Sequence, residues 1–293
     1  MISVIIPTIN AEKELPGLLS SLKNQTIIPD EIIVIDSGSD DSTKEICRSD
    51  AAVTLIEIQR DEFDHGRTRD FALRSSRGDI VVFLTQDALP ADEEMLKNLI
   101  SPLSDPRVAV CTGRQIPKPD ASGMERLIRE FNYPSTSHIR SADDIPRMGI
   151  KTFFCSDVCA AYNRNTYLEL GGFVYPLKTN EDMFFAAKAI HAGFLIAYAA
   201  DATVYHSHDF TLKEQYIRNY IQGYEMEKHR SLLGDVSKES EGVKLVRYVS
   251  AGLLKHGRII SFIRFGFDCC ARYLGSRAGC RAFLKEQSVE HNR

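Results

Sequence analysis

Apolar residues along this chain alternate between two rhythms. Short runs rich in Val and Ile, at Ser3 to Pro7, Glu31 to Ile35, Val53 to Ile58 and from Ile80 onward, read as buried strands. Between them, Leu15, Leu18, Leu19 and Leu22 fall on one face of a helix over Glu12 to Asn24. Asp41 or Ser42 can cap a second helix that runs through Cys47, and a third is predicted over Gly66 to Ser76. This β-α-β-α-β-α-β order predicts a parallel sheet with right-handed crossovers, the core of an α/β fold.

After Pro90 the organisation changes. A helix is expected over Asp92 to Leu103 and a strand over Val108 to Thr112. A Pro-rich, polar stretch from Gln115 to Met148 follows, with a helix near Glu125 to Phe131 and a mobile loop around Pro134 to Pro146. The sheet resumes near Phe153 to Tyr162, another helix begins near Glu181, and a strand from Leu195 to Tyr205 runs into His206, Ser207 and His208.

Composition narrows the class. With 293 residues and 43% hydrophobic content the chain can bury a large core, which excludes fibrous and disordered classes. A formal charge of -4 argues against generic nucleic-acid binding, although the C-terminal part is locally basic. The seven cysteines are odd in number and lack CxxC spacing, so reduced thiols in a cytosolic protein are expected, not a disulfide frame or a zinc site. The opening MISVIIPTINAEKE reads as a strand, not a signal peptide, and no run of about 18 apolar residues occurs, so any membrane contact is expected to be peripheral.

The run IVVFLTQDALP, Ile80 to Pro90, ends in one lone acid, Asp87. Open α/β sheets bind ligands at the carboxyl ends of their strands, so Asp87 stands where a metal chelated by a nucleotide diphosphate would sit. An exposed turn aspartate is the competing reading. Asp182, at a helix start, either complements the helix dipole or does chemistry.

The ordered motifs VIIPTINAE, IIVIDSGSDDST, HGRTRDFAL, VVFLTQDALP, GGF and NED resemble the inverting glycosyltransferases of family 2, over roughly residues 2 to 208. FDHGRTRD, TQDALP and HSH resemble the subgroup that transfers L-rhamnose from dTDP-L-rhamnose. The resemblance implies a GT-A fold, with a Rossmann-like, mostly parallel central sheet flanked by helices. It implies that Pro7, Thr8, Asp36, Arg69, Thr85, Gln86 and Asp87 bind the nucleotide sugar. Asp36 would accept from the pyrimidine ring, and Arg69, following Gly66 as a turn glycine, would meet the base and a phosphate. A plain strand-to-helix turn explains Pro7 and Thr8 equally well, and Asp36 could instead cap its own loop.

In the family's usual Asp-x-Asp, Thr85 replaces the first acid here, so a divalent metal, Mg2+ or Mn2+, held by Asp87 needs a second ligand. His206 and His208 are the candidates, with only one of the two expected to face the site and His206 preferred. Asp182 is expected as the general base, a carboxylate near its normal pKa and ionised at neutral pH. Gly171 and Gly172 either let a loop pass the donor sugar or acceptor or end a helix.

The expected domains are a catalytic one over 1–208 and a helical extension over 209–293. In the extension, Leu212, Tyr216, Tyr220 and Tyr224 form a helical stripe expected to pack on the catalytic domain. Farther on, Ile259, Ile260, Phe262, Ile263, Phe265 and Phe267 mix with Arg258, Arg264, Arg272, Arg277 and Arg281. Such a helix lies on an anionic membrane face or forms a core or homodimer contact. The partners implied are a nucleotide-sugar donor, dTDP-L-rhamnose or a UDP-hexose, and a glycan or polyprenyl-diphosphate-linked acceptor in bacterial surface polysaccharide synthesis. They place the protein in the cytoplasm, at the inner face of the cell membrane. A catalytically silent nucleotide-sugar binding module is the alternative from another class.

Overall fold

A computed structural model describes residues 1–234, 236 and 239–291. Strands β1 (Ile2–Thr8), β2 (Glu31–Asp36), β3 (Val53–Glu57) and β4 (Ile80–Leu84) lie parallel in the order β3-β2-β1-β4. Helices α1 (Leu15–Lys23), α2 (Thr43–Ser49) and α3 (His65–Ser75) connect them. Because side chains alternate along a strand, Val4 and Ile6 join the α1 leucines on one face, while Ile5 meets Ala72 and Leu73 of α3 on the other. Pro16 in the first turn of α1 starts that helix later than the leucine pattern suggests.

Beyond β4 the chain adds β5 (Leu89–Pro90), α4 (Met95–Ile100), β6 (Val108–Ile116), α5 (Gly123–Asn132), β7 (His138–Arg140) and α6 (Ile145–Met148). Then follow β8 (Cys159–Asn163), α7 (Arg164–Glu169), α8 (Glu181–His191) and β9 (Leu195–Tyr205). Here the nine-stranded sheet is mixed: β8 runs antiparallel between β4 and β6, β6 is parallel to β9, and β5 and β7 pair antiparallel with β9. The parallel arrangement read from the alternation thus belongs to the first four strands. Helix α4 ends at Ile100, since Pro102 lies in the 3-10 turn that follows.

Two segments differ from the sequence reading. The expected strand from Phe153 begins only at Cys159; Phe153 ends a 3-10 helix over Gly149–Phe153 and reaches the core from there. The stretch expected to be a mobile loop, Pro134 to Pro146, is built: β7 joins the sheet edge, and Ser141 and Asp144 exchange bonds in a capping box. A three-residue strand carries too few positions to show a period.

The extension comprises α9 (Leu212–Lys228), α10 (Arg230–Leu233), α11 (Glu239–Lys255) and α12 (Ile259–His291). Positions 292 and 293, where the predicted extension ends, lie outside the described residues. The tyrosine stripe of α9 faces α12, not the central sheet. A Cβ on Gly279 would stand 1.9 Å from the Tyr220 carbonyl oxygen, and one on Gly275 would stand 2.4 Å from that of Tyr216. Tyr224 packs its ring on Phe283 and donates to Glu286 at 2.5 Å. Helical spacing reveals a face but not its partner. The extension meets the sheet domain elsewhere: Val249 and Leu253 of α11 and Phe265 of α12 bury Met124 and Ile128 of α5.

Among the described residues no disulfide joins any of the seven cysteines. No described helix is long and apolar enough to cross a membrane. Replacing Gly279 by Leu should cost about 1–3 kcal/mol through overpacking, read as a lower urea midpoint. Gly266→Ala, in open space on the same helix, should leave the midpoint unchanged or raise it.

Candidate active site

The apolar run of β4 stops at Leu84, and the next three residues form the first half of the site. The Gln86 side chain accepts from the Ile9 amide at 2.9 Å and donates to its carbonyl at 3.1 Å, tying the end of β4 to that of β1. Asp87 then faces the residues that follow β9. Its Oδ2 lies 3.1 Å from His208 Nε2 and 3.5 Å from His206 Nε2, and the two imidazole nitrogens are 3.1 Å apart. Both histidines therefore face Asp87, which corrects the expectation that only one would. Positions two apart share a side in extended chain, so the spacing favours joint presentation.

His206 is held from behind. Its Nδ1 lies 2.9 Å from Gln115 Oε1, an atom that can only accept, so Nδ1 carries the proton and Nε2 presents its lone pair towards Asp87. Arg129 of α5 donates to the same oxygen and in turn pairs with Glu125 at 2.6 Å. Burial pushes the pKa of His206 down to about 3, keeping the ring neutral. Burial alone would raise Asp87, but the hydrogen bond from His208 and the adjacent imidazole of His206 hold it well below the carboxylate range.

The ligand atoms of Asp87, His206 and His208 lie within 4.8 Å of one another, so one carboxylate and two neutral imidazoles could close on a single cation. The buried Thr85 hydroxyl beside them makes no hydrogen bond of good geometry, yet it lies close enough to Asp87 to help lower its pKa.

A second cluster surrounds the start of α8. Asn180 takes a left-handed turn, φ 68°, and delivers Glu181 and Asp182. Arg69, buried on α3, lies 3.1 Å from Glu181 and 3.4 Å from Asp157, and His65 stands 3.8 Å from Glu181. Asp157 accepts from the Tyr162 hydroxyl at 2.6 Å. Asp182 accepts from the backbone amides of Asp157, at 3.1 Å, and Met183, at 2.6 Å. One guanidinium thus serves three carboxylates. Burial, then the charges of Glu181 and Asp157, push Asp182 well above the ordinary carboxylate value, and burial raises Asp157 to about 7. The near-normal pKa expected for Asp182 is corrected accordingly.

The two clusters are joined. Gln115, which holds His206 through its oxygen, donates through its amide nitrogen to Ser156 at 2.9 Å, next to Asp157.

Other predicted residues have structural partners. Asp36 closes its own loop, accepting from Gly38 at 3.1 Å and from the Ser39 amide at 2.9 Å, with Thr8 Oγ1 at 3.4 Å. Pro7 and Thr8 pair with Ile35 and Asp36, which sets the ends of β1 and β2 side by side. Arg69, expected at the base and phosphate, has His65, Asp157 and Glu181 as its partners, because burial demands carboxylates beside it. Gly66 lies within the first turn of α3, where a Cβ would stand 2.4 Å from the Val174 carbonyl oxygen. Gly171 and Gly172 end α7: their amides bond to the carbonyls of Leu168 and Tyr167, the Schellman pattern. Sequence reading missed Gln115, Arg129 and Asp157; of the second cluster, only the NED motif signalled Glu181.

Residues 3–171 match the family model described as Glycosyl transferase family 2. The chain belongs to that family. It is 44% identical over 223 residues to the O-antigen chain rhamnosyltransferase RfbN of Salmonella typhimurium, covering 76% of this chain and 71% of the relative. To the O-antigen chain rhamnosyltransferase WbaN of Salmonella anatum it is 41% identical over 223 residues, covering 75% and 70%. In fold, this transferase is similar to the mannosyltransferase PcManGT from Pyrobaculum calidifontis in complex with GDP-Man and Mn2+, with TM-score 0.61, 18% identity, and 99% and 86% of the two chains covered. It is also similar to S. aureus TarS 1-349 in complex with UDP-GlcNAc, with TM-score 0.56, 17% identity, and 96% and 92% covered. The fold is GT-A, as the motifs imply.

Replacing Arg69 by Met would leave the buried carboxylates of Asp157 and Glu181 without their cation and should cost about 3–5 kcal/mol. The loss should depend on pH. Without the guanidinium, the already raised folded-state pKa values of Asp157 and Asp182 rise further above the unfolded value near 4, so the deficit should grow as pH rises from about 4 and shrink below it. Urea unfolding of wild type and variant across that range measures it.

Proposed function

We propose that this transferase moves L-rhamnose from dTDP-L-rhamnose to a hydroxyl of a glycan or polyprenyl-diphosphate-linked acceptor in bacterial O-antigen synthesis. The reaction is a single inverting displacement. The observation that carries the chemistry is the joining of a three-ligand cluster and a high-pKa acid through Gln115 and the 156–157 segment. The extended identity to two O-antigen rhamnosyltransferases supports the donor.

Asp87, His206 and His208 hold the metal, with a donor set richer in imidazole than Mg2+ favours and better suited to Mn2+. A bound ion supplies positive charge opposite the departing diphosphate. Pro7, Thr8, Asp36, Thr85 and Gln86 line the nucleotide side, where the hydroxyl of Thr85 has no hydrogen bond of good geometry to break on meeting the donor. Arg69 positions the acid cluster and contributes positive charge beside it. Asp182 takes the proton from the acceptor hydroxyl as its oxygen bonds to the anomeric carbon. The bond from that carbon to the diphosphate oxygen breaks, and the electron pair leaves with the diphosphate. A raised pKa makes Asp182 a stronger base than a free carboxylate.

Residues 1–208 form the catalytic domain and 209–293 the extension, and the protein works in the cytoplasm at the inner membrane face. Leu254, Ile259, Ile260, Ile263 and Phe267 are exposed together at the α11–α12 turn. Exposed Lys255, Arg258 and Arg264 rim them, and this apolar patch with a basic rim suits an anionic lipid surface.

Calorimetry should find dTDP-L-rhamnose binding in the presence of Mn2+ and much weaker binding of UDP-glucose; a preference for the UDP-sugar would overturn the donor. Asp182→Asn should keep donor binding and lose about 100-fold or more in turnover. Because Asp182 must be ionised to act, activity should rise with pH, with the acid limb centred well above about 4, where a free aspartate titrates. Vesicles rich in anionic lipid should sediment the wild type, and Ile260→Ser with Phe267→Ser should abolish this. A dimer that the double variant dissociates, without vesicle binding by the wild type, would assign the patch to self-association instead.

A further inference from the structure

A cavity of about 360 Å³ lies between α5, β7, α6 and α11. Four cations line it: Arg140, Arg147, Lys151 and Lys244, with Phe131 and Tyr198 among the walls. It is separate from the Asp87 cluster. Tyr198 stands opposite Thr112 and Tyr205 opposite Ile116, so four residue steps along β6, roughly 13 Å, separate this wall from the end of β9.

Arg140 is the informative residue. It is 3% exposed, donates through Nη1 to the Lys151 carbonyl at 2.8 Å, and leaves its Nε–H buried without an acceptor. Among the described residues no carboxylate pairs with it. A buried guanidinium keeps its proton, so this charge lacks a counter-ion. Two acids stand nearby, both already paired: Glu241 with Lys151 at 3.4 Å and Lys244 at 2.6 Å, and Asp144 with Arg147 at 2.6 Å. Among the described side chains, four cations against two acids leave an excess of two positive charges around a space large enough for a small ligand.

We propose that this cavity is a second ligand site, which binds a phosphate or diphosphate group through Arg140 and Lys151. The planar fork of Arg140 and the ammonium groups of Lys151 and Lys244 match the oxygens of such an anion, and a single carboxylate would leave half of the excess charge unmet. The group could arrive on a lipid-linked acceptor or as a free phosphate compound, since the same atoms would recognise either. The site stands whether or not the donor is dTDP-L-rhamnose.

The test is calorimetric titration of the full chain with inorganic pyrophosphate, and separately with geranyl diphosphate, in EDTA and without donor. Both should bind. Tighter binding of the prenyl compound would point to the lipid-linked source, and equal affinity to a free phosphate compound. Arg140→Gln and Lys151→Gln should each weaken binding by about tenfold or more, while Asp87→Asn should leave it unchanged, which separates this site from donor binding. Lys151 is only partly buried and is not needed to neutralise a core acid, so its variant reports even if Arg140→Gln fails to fold. Absence of binding at millimolar ligand, or wild-type affinity in Lys151→Gln, would overturn the proposal.

Discussion

The side-chain amide of Gln115 is the contact on which the site's geometry depends. It has one acceptor and one donor end, and each is committed to a different half of the site: the oxygen to His206 and Arg129, the nitrogen to Ser156. Reversing the amide would break both halves at once, so the surrounding partners fix its orientation. That orientation sets the His206 tautomer, and with it whether a lone pair or a proton faces Asp87. A neutral residue at the end of β6 thereby aligns two charged clusters carried by five other segments of chain.

The second constraint is charge. Asp157, Glu181 and Asp182 share one buried arginine, and such an arrangement cannot hold all three ionised at little cost. Raised pKa values are its natural outcome. The same imbalance leaves Asp182 with a higher proton affinity than a free carboxylate, the property the proposed general base needs. The Asp87 cluster has the opposite balance, one low-pKa carboxylate facing two imidazoles, as suits a place where a cation would be drawn in.

What could be read from the chain follows from these differences. β1 to β4 were legible because buried parallel strands are continuous apolar runs, and Asp36 and Asp87 stood out because those runs end in them. The family motifs led to Asp182 and the histidine pair. Gln115 was hidden because an uncharged amide at a strand end has no signature, and Asp157 because it lies in an irregular segment before β8. The ion pairs of Arg69 were invisible for a further reason: α3 and α8 meet only in the folded chain, and their residues are more than a hundred positions apart. The tyrosine stripe of α9 failed differently, since its period was right and its partner, α12, is set by Gly275 and Gly279 far downstream.

Those glycines connect the extension to the chemistry. Backbone contact between α9 and α12 fixes α12, and Phe265 of α12 with Val249 and Leu253 of α11 buries Met124 and Ile128 on one side of α5. From the same helix Arg129 reaches back to Gln115. Helix α5 is only ten residues long, too short to be stable alone in water, so its position depends on what packs against it. The helical extension therefore supports the position of His206 through a single helix, while the turn between α11 and α12 leaves its apolar residues exposed.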